Sequence, residues 1–261
     1  MSSPLEAYGA VCAKAHGLYG KRLTDEDWQR LRGSAGLEQA VEVLRRTPGW
    51  GPLPEGADPE TIKAALRDRV RVETEHLKCF VQTNDDKKAL DLLLRMKAHA
   101  LAMDTEDYRK AWSYLLKSYR GLSAIALKRL LGTEADMLNV TYLLRLRKFP
   151  GLKSKAADYL IPVRQELSPR LAKAMLAAAD DRTALEALRG TRMYETFAAG
   201  TASPEEHYRA AMGKFCRKLM EEGTPSLAVP AAYLMLKELE RQKLDRLIEA
   251  VNRGLDPKTI D

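Results

Sequence analysis

Seven polar side chains stand where two apolar helical stripes begin or run. Glu134, Asp136 and Asn139 open a stretch that continues through Val140 and Leu143 to Arg145, Arg147 and Lys148. Tyr233, Lys237, Glu238 and Glu240 lie in a second stretch, in which Tyr233, Leu236, Leu244, Leu247 and Val251 recur at helical spacing. Steps of three and four place side chains on one helix face, so Asp136 joins Asn139, and Glu240 joins Tyr233 and Lys237. Carboxylates, an amide, a phenol and an ammonium so placed make ion pairs and hydrogen bonds. A carboxylate taken out of water costs several kcal/mol unless it is paired, so each needs a partner. For Asp136 the local alternative is helix capping. For Glu240 it is an exposed edge, or a buried pair with Lys237 or Lys243. The other choice for both is a polar cavity or an interface.

Other chemistry is thinly represented. No Walker-type glycine loop, GxGxxG turn or GxSxG elbow occurs. Cys12 with His16, and His76 with Cys79, are two-ligand fragments that nothing nearby extends to the four ligands of a structural zinc site. Ordinary packing explains both, and no metal or cofactor is expected. Basic clusters at Arg67–Arg71, Arg145–Lys148 and Arg241–Arg246 are diluted by acids and read as solvated helix faces. An enzyme with an unrecognised site is the remotest class. A basic helical adaptor for RNA or acidic proteins is the alternative that charge and helix content leave open.

The elements that position these residues are helices. Pro4 to Tyr19 is a small-residue helix. Thr24-Asp-Glu-Asp27 is a capping box, followed by Trp28 and Leu31. Leu37 to Arg46 is a second short helix ending at Thr47-Pro48-Gly49. Trp50 to Ala57, with its glycines and prolines, is a loop. Asp58-Pro59, Ser168-Pro169 and Ser203-Pro204 are cap-plus-proline starts. The first opens a helix through Ile62, Leu66, Val70 and Leu77, broken by Asn84-Asp85-Asp86. Lys87 to Met103 follows, with Leu90, Leu93, Leu94 and Leu101 inward. Gly121 parts two shorter runs. Thr133-Glu-Ala-Asp136 is expected to cap a new helix to Lys148. Lys153 to Ile161 is one short helix. The last long helix runs from Val229 to Arg253, stopped by Gly254, and Asp256-Pro257 opens a final turn. Period-two alternation is nearly absent, so the chain is expected to be all-α.

Composition agrees. Of 261 residues 45% are hydrophobic, enough for a sizeable core, and only 7% are aromatic. A net charge of +7 makes the surface moderately basic without selecting a partner. Three scattered cysteines argue against a disulfide framework and for a cytoplasmic setting. The N-terminus lacks a signal-peptide pattern, and no apolar run approaches the ~20 residues that span a bilayer. Any membrane contact is therefore expected only through a partner. Residues 167–191 also echo residues 23–47. Leu23-Thr24, Leu31, Ala40, Glu42, Leu44, Arg45 and Thr47 answer to Leu167-Ser168, Met175, Ala184, Glu186, Leu188, Arg189 and Thr191. Such spacing suggests a helical unit used more than once within a single all-α domain over 1–261.

The order of these motifs carries a resemblance. Pro230-Ala-Ala-Tyr233-Leu-Met-Leu-Lys237-Glu238-Leu-Glu240-Arg241, continuing to Gly254-Leu255, resembles the closing motif of the C/d subunit family of V-type and A-type rotary ATPases. Glu134-Ala-Asp136-Met-Leu-Asn139, with Leu160-Ile161-Pro162 and Ala184-Leu-Glu186-Ala-Leu188, is similar to its middle motif. Tyr8, Leu23-Thr24, Trp28 and Leu31 resemble its opening. In a third copy Glu240 and Lys243 replace the acid and the amide; in a first copy Lys97 and Ala100 do.

The resemblance implies a funnel-like bundle of related helical units on the cytoplasmic face of a membrane rotor ring. Its hollow would receive the foot of the central shaft. It would be a non-catalytic coupling subunit, peripheral to the membrane, with no cofactor and no nucleic-acid partner. Whether the complex moves protons or sodium stays open. Glu134, Asp136, Asn139, Tyr233, Lys237, Glu238 and Glu240 are the expected partner-binding residues. A structural role is favoured for Asp136, given its expected capping partner Thr133, and an interface role for Glu240.

Overall fold

Residues 3–99, 106–163, 165–198, 202–222 and 224–257 are described in a computed structural model of the chain. Among them the fold is all-α, with fourteen helices and no strand. Several starts follow the sequence closely. Ser3 caps α1 (Pro4–Tyr19), and Thr24 caps α2 (Asp25–Arg32) in a reciprocal box with Asp27. After α3 (Leu37–Arg45), Asp58 caps α4 (Pro59–Lys78) by accepting from two amides. Each such cap satisfies helix N–H groups that would otherwise lack a partner, for about 1 kcal/mol. Next come α5 (Asn84–His99) and α6 (Glu106–Ser118), so the Asn84-Asp85-Asp86 triplet begins a helix rather than ending one. Leu101, in the expected run to Met103, lies outside the described residues, as do the side chains of Leu94, Lys97 and Ala100.

One expectation fails outright. Thr133 is no N-cap, because α7 (Gly121–Leu146) runs through it without a break. Glycine inside a helix costs about 1 kcal/mol, but tertiary packing overrides that here. A Cβ on Gly132 would stand 2.9 Å from Gln165 Oε1, so the glycine lets the loop at Gln165 lie against the helix. Thr133 itself is buried there, 3.3 Å from the same amide oxygen.

The rest follows as α8 (Pro150–Lys153), α9 (Ala156–Tyr159), α10 (Pro169–Ala177), α11 (Asp181–Glu186), α12 (Arg192–Phe197), α13 (Pro204–Glu221) and α14 (Ala228–Asn252). The single helix expected over Lys153–Ile161 is thus two short turns. Ser168 and Ser203 cap α10 and α13 as their sequences predict. Gly254 ends the last helix at φ +66°.

α14 is the common wall. It runs alongside α1, since the Cys12 thiol meets Ser226 O and the Leu23 amide meets Glu240. It runs opposite to α4, where Lys63 pairs with Glu249 and Glu73 lies beside Lys237. α7 and α13 are antiparallel, tied by Arg129–Glu222 at one end and Arg145–Glu205 at the other.

The buried apolar residues form two clusters. The larger gathers α1, α5 to α7 and α10 to α13 around the first half of α14. The smaller packs α2, α3, Trp50 and α4 against Leu244, Leu247, Ile248 and Val251 of its second half. Each deeply buried leucine is worth roughly 1.5–3 kcal/mol, so α14 contributes to both cores.

Candidate functional site

The two echoed segments occupy matching surroundings. Thr24 and Ser168 are N-caps. Leu31, Ala40 and Leu44 are fully buried, as are Met175, Ala184 and Leu188. Thr47 and Thr191 each donate their hydroxyl 2.7 Å to the carbonyl three residues back. Each segment also begins against a carboxylate on a long helix. The Leu23 amide donates to Glu240 at 3.2 Å, while the Gln165 and Glu166 amides donate to Asp136 at 3.2 and 2.5 Å.

The three polar residues of α7 are enclosed. Glu134 accepts from the Tyr208 hydroxyl at 2.9 Å, with the Tyr108 hydroxyl 3.5 Å away. Burial pushes both phenols well above their ordinary value, with the Glu134 charge as the next cause. Asn139 forms a two-way amide pair with Ile161, 2.9 Å to its carbonyl and 2.8 Å from its N–H. Burial raises the Asp136 carboxyl, and the backbone amides of Glu166, Gln165 and Leu167 oppose that rise. Capping of its own helix, the local alternative for Asp136, is replaced by capping of a distant loop.

The α14 set forms another network. Glu240 is only partly buried, and it accepts from Trp50 Nε1 at 2.8 Å as well as from Leu23. Lys237 donates to Gly49 O at 2.8 Å, lies 3.4 Å from Glu73 Oε1 and sits 3.6 Å from the centre of the Trp50 ring. Tyr233 donates its hydroxyl to Glu73. The buried pair foreseen for Glu240 with Lys237 or Lys243 is therefore not the contact made. Lys237 reaches Glu73, and Lys243 lies 4.8 Å from the centre of the Trp28 ring. The exposed-edge alternative fails for the same reason. Burial lowers Lys237 despite the carboxylates of Glu73 and Glu240, and burial raises Glu240 despite Lys237. Glu238 faces elsewhere, in a bidentate pair with Arg241 at 2.6 and 2.8 Å.

Tyr233, Lys237 and Glu240 also line a groove of about 1070 Å³ between α1, α2, α13 and α14. Arg22, Arg209, Arg217, Lys243 and Arg246 give it a basic rim, against Asp25 and Glu206. Glu134, Asp136, Asn139 and Glu238 do not line it, so the seven expected residues divide between this groove and the interior.

Sequence reasoning missed Glu73 and the part played by Trp50. Glu73 did leave a signal: it interrupts the stripe Ile62, Leu66, Val70, Leu77 at helical spacing, as Glu240 does its own. The basic clusters are also not simply solvated. Arg147 is buried, donates to Met175 O and pairs with Asp181, while Arg241 pairs with Glu238 and Asp245. Arg67 and Arg71 are exposed as expected.

Among the described residues no group of three or more His, Cys, Asp or Glu could hold a metal ion, and no helix is long and apolar enough to cross a membrane.

The sequence model of one protein family, described as the ATP synthase (C/AC39) subunit, matches residues 96–261. The C subunit of the A-type ATP synthase of Pyrococcus abyssi (strain GE5 / Orsay) is 26% identical over 219 residues, which are 80% of this chain and 58% of that protein. The match thus spans little more than half of that relative's length.

Proposed function

The chain belongs to the ATP synthase (C/AC39) subunit family, and from that premise we propose that it is a non-catalytic coupling subunit of a V/A-type rotary ATPase. In this reading it joins the central shaft to the membrane rotor ring and is peripheral to the membrane, with all bilayer contact made by partner subunits. The observation that carries the reading is the groove beside α14, in whose wall Lys237 is held by Glu73 and Trp50. A coupling piece needs a docking surface that resists slipping, and fixed charges set register better than apolar contact does. Of the expected residues, Glu240 is the one a partner in the groove would reach; Tyr233 and Lys237 line it but are buried, and would hold its wall. Glu134, Asp136, Asn139 and Glu238 would act indirectly, by holding the helices in place.

The test is co-purification. A tagged copy of the chain, recovered from membranes of its own source under mild detergent, is expected to bring down the ATPase's shaft and ring subunits. Recovery of an intact rotary ATPase from that source without this chain would overturn the proposal.

A further inference from the structure

We propose that the turn from Lys148 to Lys155 rests on anionic lipid headgroups, with the Phe149 ring dipping beneath them. This goes beyond the coupling reading and amends it in one respect: partner subunits are no longer alone in touching the membrane surface. It does not rest on that reading.

The run from Arg145 to Lys155 carries five cations and no acid. The fold sorts them. Both arginines turn back into the protein: Arg145 pairs with Glu205, and Arg147 is buried against Asp181 and the Met175 carbonyl. The three lysines stay outside. Lys148 and Lys155 are exposed and Lys153 is half-buried, and among the described residues none of their ammoniums has an ion-pair partner. Phe149 stands among them with 58% of its surface exposed. The other exposed phenylalanine, Phe80, lies 5.5 Å from the Lys14 ammonium, whereas among the described residues no cation covers the Phe149 ring.

The turn is held by its own backbone. The Phe149 amide donates to Leu146 O at 3.0 Å, and the Phe149 carbonyl accepts from the Leu152 amide at 2.9 Å. The Lys155 amide then donates to Leu152 O at 3.0 Å. Pro150 opens α8, and its ring fixes φ there. The apolar tip is thus presented ready-made, so binding has little left to order.

A single exposed ring needs no explanation by itself. Its setting selects the partner. Lysine ammoniums are mobile point charges on long stems, and they suit a diffuse anionic sheet. A carboxylate or phosphate held in one geometry calls for the fork of arginine, and the arginines are the cations this fold has withdrawn. Phenylalanine gains only by leaving water, and a charged surface with hydrocarbon beneath it supplies both halves of the match. A nucleic-acid strand is gripped by a basic groove with successive rings; here there is one ring. Each lysine near an anionic membrane strengthens binding about fivefold, so three give roughly a hundredfold. That is a weak anchor, one that orients a body already held by other contacts.

The test is flotation of the purified full chain with two kinds of vesicle, pure phosphatidylcholine and phosphatidylcholine with about one-third phosphatidylserine. The acidic vesicles are expected to bind at least about tenfold more tightly at about 0.1 M salt, and to release the protein as salt rises. Changing Lys148→Gln, Lys153→Gln and Lys155→Gln together should remove that preference. Phe149→Ser should weaken binding severalfold with the charge unchanged. The charge-matched control Lys128→Gln, Lys214→Gln and Lys218→Gln alters exposed residues toward the Arg129–Glu222 end of α7 and α13, and should keep the preference. All are surface changes, and circular dichroism should show the helices intact. Equal binding to both vesicles, or a loss that the control reproduces, overturns the inference, since net charge alone would then be acting. Indifference to Phe149→Ser overturns it too, as does polyglutamate or single-stranded RNA that binds the turn as tightly as the acidic vesicles do. Failure on vesicles leaves the coupling role standing, and failure of co-purification leaves the headgroup contact standing.

Discussion

Glu240 holds two parts of the N-terminal region at once, the Leu23 amide and the Trp50 indole, while lying largely out of water. Burial lifts its carboxyl above the ordinary 4.5. Between that value and the raised one, the folded protein binds more protons than the unfolded chain, so Glu240's contribution to stability falls as pH rises through the window. Relative to Glu240→Gln, the wild-type protein should therefore gain melting temperature as pH is lowered from neutral into that window. A difference between the two that stays flat with pH would show that the carboxyl is not shifted. At this scale the sequence exposed the helix-seam acid but not its partners. Spacing within one helix shows that a polar side chain faces inward; it carries nothing about Trp50 or Leu23, which lie 190 and 217 residues away along the chain.

Elements were more legible, because caps and stops act over a few residues. The Ser-Pro and Asp-Pro starts, the capping box at Thr24 and the end at Gly254 needed only local chemistry. α7 was misread at Thr133 because the same local motif is outweighed by what packs around it. The loop at Gly49 shows the limits of local reading too: its composition marks a turn, but not the close contact with the turn that follows α1. A Cβ on Gly49 would stand 2.5 Å from the Lys21 carbonyl oxygen, a backbone atom with little freedom to move. Gly49→Ala should destabilise the protein by roughly 1–3 kcal/mol, the usual cost of overpacking, and displace the carbonyl that Lys237 uses. Urea denaturation would register the loss, and an unchanged midpoint would refute the tight contact.

At the scale of the whole molecule, α14 belongs to both apolar clusters. Leu247→Ala, in the smaller one, should cost roughly 2–5 kcal/mol. It should shift one cooperative transition rather than release the N-terminal helices alone. Two separate melting steps, by near-ultraviolet dichroism of Trp28 and Trp50 in a Trp112→Phe background against overall helicity, would show that the clusters are independent. The shared helix also orders events in time. Leu23 and Glu240 are 217 residues apart, yet they are bonded. At 5–20 residues per second of synthesis, the first helices wait roughly ten to forty seconds for the last one to be made. Until α14 leaves the ribosome, Leu31, Leu44 and Trp50 have no lid, and the growing chain offers chaperones an unfinished apolar face. A chain that stops before α14 would yield a protein whose first helices, and not merely its last, fail to fold.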